Sequence, residues 1–512
     1  MTIDTKALPG NLPGCHALIA ELLCELDLRD RKVRQLQHQL EQLLRWRYGQ
    51  KRERVDENQL FLEALAKVGA GGAPDPEAEP ESTTEAPAAR PRGHGRQRLP
   101  PHLPRRRVVY DIPPEQRHCP HCPETLQHIG EEVSERLEYV PASLEVIEEV
   151  CQKYACPKGC TLVTAQKPMR PIEKGLPGPG LLAHVAVSKY ADHLPLARQA
   201  GMFHRQGVEL ARSTLCDWMR RCAELAVPLY RMMAQRVLSS KAVQTDDTPV
   251  AVFDPELTHT RTGRIWSYVG DAANPFTVYD YTPTREGKGP AAFLGDFAGY
   301  LQADAYGGYD ALYADTERDV TEVACWAHAR RKFFEAQSSD LMRAMIMLAY
   351  VRLLYDVERE AKSENWTGKA RRALRQEKSL PVLTDIEAYL RREQSHVLPK
   401  SPIAGAIGYA LGNWPALRRY CEDGDLEIDN NGAERSLRGI AVGRKNWLWY
   451  GSDNGGHTAA VLTSFVATCK RLHIDPFAYL RDVFERISAH PASRLSEFLP
   501  DQWKAAHPLN TS

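Results

Sequence analysis

Five segments between residues 241 and 336 have the composition of β-strands, and the long stretch after them has none. The segments are KAVQTDDTPVAVFD, GRIWSYVGD, FTVYDYT, GYLQADAYGGYDAL and the first residues of VACWAHARRKFFEA. They are rich in valine, threonine and aromatic residues, which favour extended chains. Residues 335–420 instead contain long helical runs such as LMRAMIMLAYVRLLYDVEREAK. The sequence therefore predicts an α/β domain whose mixed sheet is interrupted by a helical insertion.

Residues 17–48 predict a helix with one apolar seam. Apolar residues recur there at spacings of three and four from Ile19 to Leu43, with Arg29 as the one interruption. This spacing is typical of a coiled coil and favours a homo-oligomer. An amphipathic helix that packs on its own domain is the alternative.

Charge is distributed in opposed blocks. The chain has 66 basic and 66 acidic residues, yet PDPEAEPESTTEAP is acidic and RPRGHGRQRLPPHLPRRR carries seven arginines and no acid. Zero net charge therefore does not exclude a nucleic-acid partner. These blocks cannot bury enough apolar surface to fold alone, which predicts a flexible linker. The sequence has no visible signal peptide and no apolar stretch of membrane-spanning length, so we expect a cytoplasmic protein without a membrane partner.

Two cysteine pairs predict a structural zinc site. Cys119 and Cys122 lie in CPHC, and Cys156 and Cys160 lie in YACPKGC. The segments RLEYV and LEVIEEVCQKYAC between the pairs favour hairpin strands, and a hairpin ending in two cysteine pairs can hold tetrahedral Zn²⁺. Competing ligands nearby are Cys151, His118 and His121. Reduced structural thiols without metal are the alternative.

Residues 175–235 predict helices separated by a turn. The helical pattern breaks at RQGV and restarts at ARSTLCDWMRRCAEL, where Ser213 is a candidate N-cap. A helix, a glycine-containing turn and a second helix with exposed arginines are compatible with a DNA-binding helix-turn-helix. Helical hairpins occur in many proteins, so this pattern alone does not establish DNA binding.

Three acidic residues are candidates for a magnesium site. Asp246 lies within an apolar strand segment, where an unpaired carboxylate is costly. Asp304 follows another strand at a glycine-rich turn, and Glu434 lies at the predicted start of a helix. Convergent carboxylates are the ligands that Mg²⁺ prefers, and paired divalent ions catalyse phosphodiester chemistry. The alternative for any single carboxylate is a solvated surface, and spacing alone does not distinguish the two.

Cations and aromatic residues follow Glu434. Asn430 or Asn431 is available to cap the helix that begins near this glutamate. The cations are Arg435, Arg438, Arg444 and Lys445, which are suited to phosphate contacts. Trp447 and Trp449 could stack on bases, but at alternate positions of one strand we expect both indoles to pack against the core.

Taken together, an ordered series of motifs resembles the transposases of insertion-sequence family sixty-six, within the Asp-Asp-Glu transposase group. The motifs are GRQRLPPHLPRRR, CPHC, KYAC, IEKGLPGPGLLAHVAVSKYADHLPLARQ, STLCDW, DDTPV, QADAYGGYDALY, CWAHARRKFF, EIDNNGAERSLRG, GRKNWLWYGSDNGG and DPFAYLRDVFERI, followed by the tail HPASRLSEFLP. Two departures are RYGQKRE after the seam, where the family usually has Phe-Gly-Arg-(Arg/Lys)-Ser-Glu, and one extra residue in the second cysteine knuckle.

The resemblance implies an RNase-H-like catalytic core that binds two Mg²⁺ or Mn²⁺ ions through Asp246, Asp304 and Glu434. Asp246 matches the family's first aspartate better than Asp247, although the adjacent pair leaves both open. The resemblance also places His328, in a Cys-x-x-His element with Cys325, near DNA at the cleavage site. A helix-start histidine satisfied by a backbone group is the alternative. The neighbouring cations Arg330, Arg331 and Lys332 favour a DNA-facing role.

These observations predict eight consecutive regions. They are a coiled coil (15–50), a flexible linker (51–104), a zinc-binding module (105–168), a helix-turn-helix-like region (170–237), the first part of the core (238–334), the helical insertion (335–425), the last part of the core (426–488) and a C-terminal tail (489–512).

The function implied is a bacterial, nucleoid-associated transposase. It would cleave DNA at the terminal inverted repeats of its element and join the ends to target DNA, with small companion proteins of the same element as possible partners. A catalytically inactive DNA-binding relative and a metal-dependent nuclease that does not join strands are the alternatives.

Overall fold

The computed structural model describes residues 169–508 except residue 174, together with residues 144, 146–147, 153–155 and 162–164. The predicted coiled coil, the linker and the four predicted zinc ligands lie outside the described residues. Within the unit Gly72–Lys167, strands β1 (Lys153–Ala155) and β2 (Leu162–Thr164) pair antiparallel, with Tyr154 opposite Val163. The earlier segment RLEYV, which we expected to pair with this strand, lies outside the described residues.

Three helices precede the large sheet. They are α1 (Pro179–Tyr190), α2 (Leu196–Arg205) and α3 (Arg212–Leu238). The turn between α2 and α3 contains Gly207, whose φ of 82° suits glycine. Two helices joined by this turn agree with the predicted hairpin. Ser213 is not its N-cap, because α3 begins at Arg212 and Ala211 occupies the capping position.

The large sheet is mixed. Its strands are β3 (Ala242–Val252), β4 (Arg261–Val269), β5 (Thr277–Thr282), β6 (Gly299–Ala303), β7 (Val320–Ala324) and β8 (Trp449–Tyr450). The order is β5-β4-β3-β6-β7. The first three strands are antiparallel, while β6 and β7 are parallel to β3, and β8 pairs with the last residues of β3. The five main strands lie where the sequence predicts them.

The helical insertion has a core of its own. Short helices α4 (Lys288–Leu294) and α5 (Asp310–Ala314) connect strands, and α6 (Trp326–Glu335) follows β7. The insertion continues with α7 (Leu341–Ser363), α8 (Gly368–Leu374), α9 (Leu380–Gln394), α10 (Pro402–Gly412) and α11 (Trp414–Arg418). Residues buried between them include Phe333, Met347, Leu354, Ile386 and Ile407. These helices therefore form a second hydrophobic layer that ends where the chain returns to the sheet.

The chain then forms α12 (Asn431–Trp447), α13 (Asp453–Arg471), α14 (Pro476–Arg486) and α15 (Pro500–Ala506). Helix α13 covers the edge strand β5 with hydroxyl groups. Tyr279 donates its backbone N–H to Ser464 Oγ at 2.8 Å, and Thr277 exchanges two hydrogen bonds of 3.0 Å with Thr468. Outward-facing backbone groups of an edge strand are a template for aggregation, so this cover protects the sheet. The predicted tail includes α15, where Trp503 is buried.

Two glycines bring α12 close to the loop after α1. A methyl group at Gly443 would lie 2.6 Å from Trp447 Nε1 and 3.1 Å from His193 Nδ1. At Gly439 the nearest atom is His193 Cε1, at 3.7 Å. Only position 443 therefore requires a residue without a side chain. Within residues 169–508, no helix is long and apolar enough to cross a membrane.

Gly443→Ala should destabilise the protein by about 1–3 kcal/mol, because the added methyl overpacks the contact between α12 and His193. Gly439→Ala is the matched control and should be neutral or stabilise by up to about 1 kcal/mol, because alanine favours a helix and the space is free. Urea unfolding of both variants measures the difference. Equal effects of the two substitutions would contradict the packing argument.

Candidate active site

The adjacent aspartates of β3 face opposite sides of the sheet. Asp247 lies opposite Trp266 of β4, and Asp246 lies opposite Ser267. Ser267 in turn contacts Ser436 of α12 through its hydroxyl, so Asp246 lies on the sheet face that α12 covers. Because side chains alternate along a strand, Asp247 lies on the other face. Only Asp246 therefore shares a face with the helix that carries Glu434.

Asp247 is neutralised by two arginines. Its carboxylate accepts hydrogen bonds from Arg264 at 2.9 Å and from Arg285 at 2.9 and 3.0 Å, and the side chain is only 3% exposed. The guanidinium of Arg285 also lies 4.1 Å from the ring centroid of Tyr306. A buried carboxylate with two cations has little capacity left for a metal ion.

Two glutamine amides hold Asp304 and the approach to α12 beside β3. Gln244 and Gln302 lie opposite each other on parallel strands and their side chains hydrogen bond at 3.0 Å. Gln302 also donates to the carbonyl of Glu427 at 2.7 Å, and Gln244 donates to that of Asp429 at 3.0 Å. Asp304 lies two residues after Gln302, just beyond the end of β6, and thus continues this face. The chain before α12 is therefore tied directly to the strands that carry both aspartates.

A second tie connects α12 to α6. Asn430, immediately before α12, is fully buried and donates its side-chain amide to the carbonyl of Thr245 at 3.3 Å. Its backbone N–H contacts Cys325 Sγ at 3.4 Å. The predicted asparagine cap is thus only partly right. Asn430 occupies the capping position without a capping bond, while Asp429 accepts the backbone N–H of Asn431 at 3.1 Å.

The hydrogen bond between Asn430 and Cys325 holds the start of α6 next to Glu434. His328 Nδ1 lies 3.6 Å from Glu434 Oε1, and Arg331 lies 3.7 Å from Oε2. Both His328 Nδ1 and Glu434 Oε1 are buried without a hydrogen-bond partner among the described residues. Burial lowers the pKa of His328, so the imidazole is neutral near pH 7 and its contact with Glu434 is not an ion pair.

The three carboxylates repel one another. Burial, together with the charges of Asp304 and Glu434, raises the pKa of Asp246 to about 7 against one backbone hydrogen bond that lowers it. Burial also raises the pKa of Asp304, and the charge of Arg285 opposes the shift. Within the described part of the chain, neither aspartate forms a salt bridge. Partly buried aspartates without an ion-pair partner are typical of a functional position.

This donor set fits divalent ions. Three carboxylates that share one side of the sheet, with a buried unpartnered oxygen on Glu434, offer the hard oxygen ligands of Mg²⁺ or Mn²⁺. A second set, Cys325, His328 and Glu434, has ligand atoms within 4.8 Å of one another. There, however, burial raises the pKa of the Cys325 thiol to about 12, and its sulfur already contacts Asn430. This thiol is neutral and structural, which disfavours the second set.

Some of the cations predicted to bind DNA are exposed, whereas others contact residues of the protein. Arg331 is exposed beside Glu434, whereas the charge of Arg330 acts on Tyr355 of α7. Lys332 lies 5.8 Å from the ring centroid of Tyr409. Arg444 donates to the carbonyl of Pro249 at 2.7 Å, on β3. Of the α12 cations, Arg435, Arg438 and Lys445 are exposed.

One tryptophan prediction is right and the other is wrong. Trp447 is the last residue of α12 and stacks on Tyr450 with centroids 4.6 Å apart. Trp449 lies on β8 and is 49% exposed. The two indoles do not share a strand face, because α12 extends as far as Trp447 and ends where Leu448 adopts a φ of 65°.

Sequence reasoning missed Gln244, Gln302 and Arg285. The two glutamines stand at inward-facing positions of apolar strands, and a polar residue there is a recognisable signal, since it requires a partner. Arg285 lies in the loop after β5 and carried no such signal. Its role depends on contacts with Asp247 and Tyr306 that are distant in sequence.

Comparison with family models covers most of the chain. Residues 174–458 match the model described as Transposase IS66 family, and residues 464–500 match the IS66 C-terminal element. Residues 116–159 match the zinc-finger binding domain of transposase IS66, and residues 35–108 match a model described as Transposase C of IS166 homeodomain. The first of these spans every residue discussed above in the candidate site.

The chain is also similar to proteins of Sinorhizobium fredii (strain NBRC 101917 / NGR234). Uncharacterized protein y4hP is 32% identical over 92% of this chain and 89% of its own length. Uncharacterized protein y4jD is 35% identical over 80% of this chain and 82% of its own length. Uncharacterized protein y4qI is 34% identical over 73% and 72%.

Asp246→Asn should stabilise the metal-free protein, and by more at pH 8 than at pH 5. The fold raises the pKa of Asp246 from 3.8 to about 7, so it favours the protonated form, and stability is lost as pH rises through this window. The gain at pH 8 should be at least about 1.4 kcal/mol, the equivalent of one pKa unit. Urea unfolding in a chelating buffer measures it.

Asp247→Asn is the matched control. It leaves two arginines without their carboxylate and should destabilise the protein at both pH values. If Asp247→Asn stabilises the protein and Asp246→Asn does not, the assignment of the two faces is wrong.

Proposed function

The chain belongs to the IS66 transposase family, and from that premise we propose that it cleaves DNA at the ends of an insertion sequence and transfers the strands to target DNA. The match to the family model confirms the resemblance drawn from the sequence motifs. The observation that carries the proposed chemistry is the convergence of Asp246, Asp304 and Glu434 on one face of the sheet, where neither aspartate forms a salt bridge within the described residues.

The sheet supports an RNase-H-like core. Three antiparallel strands, β5-β4-β3, continue into the parallel strands β6 and β7. The acidic residues follow this order: one lies in the central strand, one follows its parallel neighbour, and one is on a helix packed across β3. An active site built from the ends of adjacent parallel strands is typical of open α/β sheets.

We assign the three carboxylates as ligands of divalent ions, Mg²⁺ or Mn²⁺. When bound, two such ions would activate an attacking oxygen and stabilise negative charge on the leaving oxygen of a phosphodiester. The chain itself orients the ligands: the glutamine pair fixes the approach to Glu434, and Asn430 anchors α12 to β3. Neutral His328, with Arg331 beside it, is suited to donate hydrogen bonds to DNA phosphate next to Glu434.

The proposed reaction needs no external energy source. Water first cleaves one phosphodiester and leaves a 3′-hydroxyl at the element end. That hydroxyl then attacks a target phosphodiester, so one P–O bond forms as another breaks, and the number of phosphodiesters is conserved. No step requires a covalent bond to the protein. A nuclease that does not join strands would stop after the first step, and an inactive DNA-binding relative would perform neither.

Recognition of the terminal inverted repeats belongs, in this proposal, to the α2–α3 hairpin and to the region that matches the zinc-finger model. The predicted coiled coil would join two or more chains, so that two element ends meet in one assembly. Small companion proteins of the same element would be further partners.

Asp304→Asn and Glu434→Gln should each reduce strand cleavage and strand transfer at least about a hundredfold, because each removes a proposed metal ligand. DNA binding in a chelating buffer should be largely retained. The assay is in vitro strand transfer with labelled element ends in Mg²⁺. Activity retained by either variant would contradict the assignment of the three carboxylates. Cleaved but unjoined products from the wild-type chain would instead favour the nuclease.

The purified chain should contain about one Zn²⁺ per subunit, bound by Cys119, Cys122, Cys156 and Cys160. Cys122→Ser should lose most of this zinc, because three protein ligands hold the ion less tightly than four. Cys151→Ser is the control and should retain it. Metal analysis by mass spectrometry measures both. Loss of zinc in the control alone would place Cys151 among the ligands.

A further inference from the structure

A large cleft lies behind α12, separate from the three carboxylates. Its volume is about 1100 Å³. Residues of α12 form one wall, the end of α1 and residues of α13 form the opposite wall, and residues of β4 and β5 form its floor. Asp246, Asp304 and Glu434 are not among the residues that line it.

The wall formed by α1 and α13 carries cations without acidic partners. Lys189 lies 5.5 Å from the ring centroid of Tyr190, and burial lowers the pKa of its ammonium group. Lys470 donates only to the carbonyl of Ala191, at 3.0 Å, and Arg471 donates to backbone carbonyls. Within residues 169–508, none of these three cations forms a salt bridge. Lys189 and Arg471 are half-buried, where positive charge is costly unless an anion neutralises it, whereas Lys470 is exposed.

The acidic residues that line the cleft are already engaged. Asp425 is paired with Lys241 at 3.0 Å, and Glu427 is paired with Arg371 at 2.8 Å. Asp271 accepts the backbone N–H groups of Lys241, Ala273 and Asn274, and Asp429 accepts hydrogen bonds from Tyr355 and Asn431. The charge of Asp271 acts on Arg471, yet seven lysines and arginines line the cleft against four acidic residues. The cleft therefore has a positive charge that the described chain leaves uncompensated.

The opposite wall connects the cleft to the candidate active site. Arg435 and Arg438 line the cleft from α12, are exposed and form no salt bridge within the described residues. Arg438 follows Glu434 by one helical turn, so the two side chains point to the same side of α12. A polyanion that reaches Glu434 can thus continue past Arg438 into the cleft.

We propose that this cleft binds the phosphates of a single-stranded DNA segment that extends from the candidate active site. Phosphodiester is the chemistry that unpaired lysines and arginines on two facing walls recognise. The volume lies at the upper end of pockets for small ligands, about 300–1000 Å³, and suits a few nucleotides of one strand. The assignment of the ligand as DNA rests on the proposed function. The affinity for a chain of phosphates rests only on the cations that line the cleft.

Binding of a fluorescein-labelled single-stranded DNA of about 10 nucleotides to the full chain, in a chelating buffer, tests the proposal. Arg435→Gln combined with Arg438→Gln should weaken binding about tenfold and reduce the slope of log K against log salt by about 1.4, since each lost phosphate contact contributes about 0.7. Lys470→Gln, on the opposite wall, should weaken binding further. The matched control combines Arg231→Gln with Arg481→Gln, two exposed arginines outside the cleft, and should leave both values unchanged.

Equal losses in the control, or no loss in the cleft variants, would overturn the proposal. Equally tight competition by inorganic tripolyphosphate would overturn the assignment to a DNA strand. Displacement of the DNA by a synthetic peptide of residues 74–87, at lower concentrations than unlabelled DNA requires, would identify the chain's own acidic segment as the occupant. Glu434→Gln should retain cleft binding, so failure of the catalytic assignment and failure of the cleft are distinguishable.

Photocrosslinking locates the strand without altering any charge. Val442 lines the cleft and is 45% exposed, so p-benzoylphenylalanine in its place should crosslink to the oligonucleotide. Leu341, at 46% exposed, is the control on α7 and should not crosslink. Crosslinking at Leu341 and not at Val442 would overturn the proposal even if the arginine variants failed to fold.

Discussion

The hydrogen bonds between Gln244, Gln302 and the main chain before α12 hold together three carboxylates that repel one another. An amide pair between parallel strands leaves the sheet intact while offering donors to carbonyls of another segment. Because Gln302 is buried and Gln244 is half-buried, breaking the bonds of Gln302 would leave an unsatisfied polar group in the interior. Uncharged amide groups are suited to holding the carboxylates together, because a cation in the same place would neutralise them.

The carboxylates on the two faces of β3 have opposite electrostatic surroundings. On one face Asp247 is closed off by Arg264 and Arg285, and its contribution is structural. On the other, Asp246 remains without a cation and its pKa is raised to about 7. The cleft behind α12 has the reverse arrangement, since five of the seven lysines and arginines that line it form no salt bridge within the described residues. One helix, α12, therefore lies between a region of uncompensated negative charge and a region of uncompensated positive charge.

Local patterns in the sequence predicted the elements, and contacts distant in sequence decided the site. The five strands and the helical insertion follow from composition and spacing. The face of β3 that receives α12 does not, so Asp246 and Asp247 could not be separated from sequence alone. Arg330 and Arg331 differ for the same reason, since one residue along α6 turns the side chain from Glu434 towards α7. The cap at Ser213 and the burial of Trp449 failed where helix boundaries shifted by one or two residues.

The covering of β5 by α13 has a consequence for synthesis of the chain. The ribosome releases β3 to β7 long before Glu434, because the whole insertion lies between Asp304 and α12. Until Ser464 and Thr468 emerge, β5 also keeps an open edge. A nascent or truncated polypeptide thus carries two of the three acidic residues in an unfinished sheet, and it gains the third only when synthesis is nearly complete. The DNA cleavage that we propose for this chain would by this order be absent until α12 has been made.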